Sequence, residues 1–181
     1  MAGMLDRAQH EFGHNIVGRA VGFDTGDVSA EISGSTGGTA AVITNRAVTS
    51  IAEVESFCED RIKVLYAGVL AETLKAGVLN QTAAIKLTQD TGRGDHMMVT
   101  QLCNLLRNIR YHSEPIAEAE KKMKADEIRL WNESAQMVTK YAPVIQSMAQ
   151  ELYERRSVHG KQAIMTKAEL DAHPLIVATF P

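Results

Sequence analysis

Near the start of the chain, two histidines four residues apart bracket a glutamate: His10-Glu11-Phe12-Gly13-His14. On a helix this spacing brings both imidazoles to one face, one turn apart. Two imidazoles so placed can share one tetrahedral zinc ion. Glu11 then projects to the neighbouring side of the same helix, where its carboxylate can take a proton from water activated by the metal. The surrounding residues predict that helix. Leu5, Ala8, Phe12, Ile16 and Ala20 recur at three- and four-residue steps over 4–22, and Gly22 follows as a stop. A histidine pair on an amphipathic helix is otherwise an ordinary core or surface feature, so the remaining ligand decides what the pair is for.

A metzincin would continue the motif with a glycine and a third histidine, but Val17 and Ala20 occupy those turns. A thermolysin-like enzyme would place a helical glutamate some tens of residues downstream. Glu53, Glu55 and Glu59 fall in that range without the expected flanking residues. Asp95, after the Thr91-Gly92-Arg93-Gly94 turn, opens a helix, a position where aspartate is an ordinary cap. His96 lies next to it, and neighbours on a helix point about 100° apart, so the two side chains face different ways.

The elements holding these groups read as mainly α. Val28, Ala30 and Ile32 alternate with Ser29, Glu31 and Ser33, and Thr39 to Thr44 is a second β-favouring run after a Gly/Ser turn at 34–38. Together they predict a small antiparallel hairpin over 27–44. Ser50 with Glu53 forms a capping-box pattern before a long apolar helix ending at Gly77. Residues 78–94 read as polar and irregular. A helix follows from Asp95, then a long charged helix from Ser113-Glu114-Pro115 to about Lys140. Ala142-Pro143 starts another, and Thr166 with Glu169 caps a short last one. The expected division is a core over 1–112 and a helical region over 113–181 packing on it as one unit.

Ala8-Gln9-His10-Glu11-Phe12-Gly13-His14 resembles the Ala-x-His-Glu-x-Gly-His signature of the FtsH-type peptidases, the proteolytic domains of membrane-anchored AAA+ metalloproteases. The segment from Arg61 to Glu72 is similar to that family's Leu-x-Gly-Arg-Ala-Ala-Glu helix, and Thr91 to Asp95 to its Thr-Gly-x-x-Asn-Asp segment, one residue shorter. The resemblance runs over nearly the whole chain. It implies a helical zincin-like peptidase domain with one small β-hairpin and two long C-terminal helices. It also implies zinc ligands at His10, His14 and Asp95, with Glu11 as general base. Glu72 is then a carboxylate that orients a ligand imidazole, or else a solvated helix-face charge. The hairpin offers an edge strand to an extended peptide, with Val28, Ile32, Ala40 and Val42 as substrate-binding candidates. Gly94 stands where the family has asparagine before its third ligand.

The expected activity is zinc-dependent hydrolysis of peptides or unfolded proteins. The alternative is an inactive zinc-binding adaptor or oligomerisation module. No Gly-x-x-x-x-Gly-Lys-Ser/Thr loop is present, so a separate ATPase is a candidate partner, as is a second copy of the chain. The formal net charge is −3 with no basic stripe, which leaves a nucleic-acid partner without electrostatic support. No window approaches the roughly 18 apolar residues of a membrane span, and Met1 to Asp6 do not read as a secretory signal. Cys58 and Cys103 lie far apart within helical patterns. They read as reduced structural thiols, and the expected location is the cytoplasm.

Overall fold

The computed structural model describes residues 3–31, 38–159 and 162–181, without the side chains of 156–159 and 162. Helix α1 (Met4–Ala20) is the axis of the molecule, with nearly every residue from Met4 to Gly18 buried. Its start is held by Asp6, whose carboxylate accepts from the Gly3 amide at 3.2 Å. It stops at Gly22, whose φ of 81° lies in the left-handed region that glycine enters without strain. On one side α1 crosses α2 (Ile51–Glu72). A Cβ on Gly13 would collide there with the Ala67 carbonyl and stand 2.7 Å from Ala71 Cβ, so the helices meet backbone to backbone.

Ser50 caps α2 by accepting from the Glu53 amide at 3.2 Å, while the Glu53 carboxylate accepts from Thr49 instead of Ser50. The reciprocal half of the expected capping box is therefore displaced by one residue. The stretch that reads as irregular contains a short helix, α3 (Gln81–Leu87), capped by the Asn80 side chain. Helix α4 (Arg93–Arg110) enters immediately beside α2, because a Cβ on Gly92 would overlap Val69. At its far end Arg110 pairs with Glu55, Glu59 and Asp126 at 2.7, 2.8 and 3.1 Å. This fork locks α4 between α2 and α5 (Ile116–Lys140). Helix α6 (Ala142–His159) follows and packs on α1.

The expected hairpin is there, as β1 (Asp24–Glu31) and β2 (Gly38–Ile43), but it belongs to a three-stranded antiparallel sheet. The third strand, β3 (Gln162–Met165), pairs with the other edge of β1 in the order β2-β1-β3. It was not legible because it is four residues long and its partners are more than 130 residues away. The chain ends in α7 (Lys167–Ala172), with its Thr166–Glu169 capping box intact, and α8 (Pro174–Thr179), capped by His173. One buried apolar cluster extends from Met4 to Ile176 and takes in both halves of the chain. Ile32 and the turn at 34–37 lie outside the described residues.

Candidate metal centre

Three elements bring the candidate ligands together. Helix α1 supplies His10 and His14, stacked edge-on with ring centroids 4.8 Å apart. The first turn of α4 supplies Asp95, whose Oδ2 lies 3.3 Å from both His10 Nε2 and His14 Nε2. Helix α2 forms the floor at Gly68, where a Cβ would stand 2.6 Å from His10 Nε2 and 2.5 Å from His14 Nε2. The position is open because glycine occupies it. His10, His14 and Asp95 form a group able to hold a metal ion, with ligand atoms within 4.8 Å of one another. The Nε2–Oδ2 separations match the edge of a tetrahedron built on metal–ligand bonds of about 2.0–2.1 Å, an edge of about 3.3 Å.

The far nitrogens of both rings are tied back. His10 Nδ1 donates to Glu72 Oε2 and His14 Nδ1 donates to the Val64 carbonyl, each at 2.8 Å. These acceptors hold a proton on each Nδ1, so Nε2 is the nitrogen that each ring turns towards Asp95. Asp95 Oδ2 accepts from His10 Nε2 when that ring is protonated, and a metal ion between them would take that proton's place. Either one places a positive charge between these groups. The electrostatics agree. Burial works against charge on His10, yet hydrogen bonding to the Asp95 and Glu72 carboxylates outweighs it and pushes the imidazole up to about 9. Burial works against charge on Asp95 too, and the two histidines overcome it, holding its carboxyl well below the usual carboxylate range. The His10 and His14 side chains are 3% and 11% exposed against 26% for Asp95, so the centre opens on the Asp95 side.

Glu72 is buried. Its Oε2 takes both the His10 imidazole and, at 2.8 Å, the Thr91 hydroxyl, which excludes a solvated surface charge. Asp95 is not the cap of α4. Gly92 holds that position, and the carboxylate is left to face the histidines. Glu11 is buried beside the centre, with Arg7 Nη1 3.8 Å from its Oε1. Strand β2 backs directly onto it, since a Cβ on Gly38 would stand 2.6 Å from Glu11 Oε1.

Other candidates go elsewhere. Glu53 binds Thr49, and Glu55 and Glu59 pair with Arg110, so none approaches the histidines. His96 turns away from them to line a groove of about 510 Å³ with Tyr66, Ile85, Ile128 and Trp131. Ala40 and Val42 lie on β2, whose outer side has no partner strand among the described residues, and both pack inward against the core. Val28 does not belong with them. It sits in the central strand, pairs with Ala40 on one side and Met165 on the other, and is fully buried, so it has no free edge for a peptide. Gly68, Gly38, Thr91 and the Val64 carbonyl were missed by sequence reasoning, because each acts through backbone placement or through a contact set by tertiary packing. No family model matches the chain, and no curated protein matches it.

Proposed function

We propose that the chain is a zinc-dependent metallopeptidase domain of the zincin type, organised like the FtsH-type peptidases, acting on peptides or unfolded proteins. One observation carries this reading: two imidazole nitrogens converge on one carboxylate oxygen, each 3.3 Å from it, beside a buried glutamate. Zinc held by His10, His14 and Asp95 would supply a Lewis acid that acidifies water and polarises the scissile carbonyl. Glu11 takes the proton from the attacking water as its oxygen bonds to the carbonyl carbon. Glu11 then delivers that proton to the amide nitrogen as the C–N bond breaks. Glu72 and the Val64 carbonyl fix the two ring orientations throughout. The outer edge of β2, which passes Glu11 at Gly38, can add an extended substrate as a further strand. A separate ATPase and a homo-oligomeric, cytoplasmic assembly belong to the same proposal.

The test combines metal analysis with cleavage of an unfolded protein such as casein. The expected result is about one zinc per chain and chelator-sensitive cleavage. Glu11→Gln should keep the zinc and lose about 10²- to 10⁴-fold in rate, the range for a removed general base. Retained zinc with no cleavage by the unmodified protein would move the reading to a metal-binding adaptor.

A further inference from the structure

Most charged groups around the centre are paired among the described residues. Arg7 faces Glu11, Glu72 holds His10, and Asp95 faces both histidines. Further along α2, Lys63 pairs with Asp60, which also takes Arg46. Arg61, between those two, is half-buried, and no hydrogen bond or ion pair holds its guanidinium among the described residues.

Its position is specific. Seven residues separate Arg61 from Gly68, which is two helical turns, so both lie within about 20° of one face of α2 and about 10 Å apart along its axis. Gly68 is the floor of the centre, and the Val64 carbonyl, between them, receives His14. Arg61 therefore flanks the centre on the wall that carries the histidine anchors. Burial pulls its pKa down and the Asp95 charge pushes it back up, so the guanidinium is within electrostatic reach of the ligand carboxylate. The Asp95 charge offsets part of the desolvation cost of this half-buried cation, and no hydrogen bond offsets the rest.

We infer that Arg61 is a specificity-determining residue that anchors a substrate carboxylate, either an acidic side chain near the scissile bond or a free C-terminus. The inference rests on the peptidase reading, because carboxylates are the anions that peptides carry. A guanidinium fork matches a planar carboxylate in two parallel hydrogen bonds, and docking supplies the hydrogen-bonded partner that the free protein lacks.

The experiment measures binding by calorimetry to the full chain carrying Glu11→Gln, loaded with zinc, so that nothing is turned over. One peptide is made in four forms: central Glu or Gln, each with a C-terminal carboxylate or amide. With Arg61 present, one of the two exchanges, Glu to Gln or carboxylate to amide, should weaken binding about tenfold to a hundredfold, and which one does so identifies the source of the anchored group. Arg61→Gln should abolish that discrimination, and Arg61→Lys should keep only part of it, since a point charge lacks the fork. Equal binding of all four peptides by the Arg61 protein overturns the inference. So does Arg61→Gln weakening all four by one factor, or losing zinc, either of which marks a residue that merely positions Asp95. Casein cleavage by the unmodified protein without carboxylate discrimination removes this inference and leaves the peptidase standing. Discrimination without any cleavage removes the peptidase and leaves Arg61 only as the carboxylate anchor of a peptide-binding adaptor.

Discussion

His10 and His14 can serve as ligands because their outer nitrogens are occupied. Each Nδ1 donates to a buried acceptor, and this sets both the tautomer and the ring plane before any ion arrives. Gly68 contributes space alone. Gly68→Ala puts a methyl 2.5–2.6 Å from both Nε2 atoms. Zinc affinity should then fall by at least about tenfold, comparable to the loss of a group that supports a ligand. Titration with a competing chelator measures it, with circular dichroism as the check on fold. Affinity equal to that of the unmodified protein would place the ion somewhere other than between these nitrogens. The His-Glu-x-x-His pattern was readable from residue type and spacing, and Asp95 through the resemblance to the FtsH-type family. Gly68 was not, because a glycine inside a helix carries no mark of what lies opposite it. The two cysteines are unbonded and buried, and burial pushes the Cys103 thiol up to about 12, which suits an inert core residue.

The crossing of α1 and α2 sets how close the histidines come to their anchors. Gly13→Ala forces a methyl into the Ala67 carbonyl, which cannot retreat without separating the helices. An overpacking cost of about 1–3 kcal/mol is expected, read as a lower urea midpoint. An unchanged midpoint would mean that the crossing is looser than its contacts imply. At the other end of the chain, the α7 capping box has a pH signature. The Thr166 amide and hydroxyl, then Arg155, pull the Glu169 carboxyl down to about 2 from its ordinary 4.5. A carboxyl depressed in the folded state stabilises above its unfolded value and loses that contribution as pH falls, here between about 4.5 and 2. The stability difference between the unmodified protein and Glu169→Gln should therefore shrink across that window. A difference that stays constant with pH would show the ionised cap to be without effect. Glu169 is exposed, so the change is small.

The molecule as a whole is closed by contacts that neighbouring residues cannot announce. Strand β3 covers one edge of β1 and converts the hairpin into a sheet that packs on α1 and α6. The Arg110 fork ties three helices and so holds Asp95 opposite the histidines. Because the centre joins α1 and α4 above α2, an ion bound there stabilises the folded state over the unfolded one. At free zinc about 100-fold above its dissociation constant the gain is about 2.7 kcal/mol, or roughly 5–10 °C in melting temperature. Differential scanning fluorimetry should show that rise, reversed by chelator and absent in His14→Ala. A zinc-induced rise of equal size in His14→Ala would assign the ion to other residues.

Asp95 came from the family resemblance, while the residues themselves gave the helical class, the hairpin, the capping signals and His10, Glu11 and His14 as candidates. The latter depend on periodicity and local chemistry, which a chain carries within a few residues of each site. The third strand, α3, the burial of Glu72, the exclusion of Val28 from a free edge and the space at Gly68 were decided only by the fold. Each depends on what a distant segment places opposite the residue, and a residue's own neighbours in the chain hold no record of that.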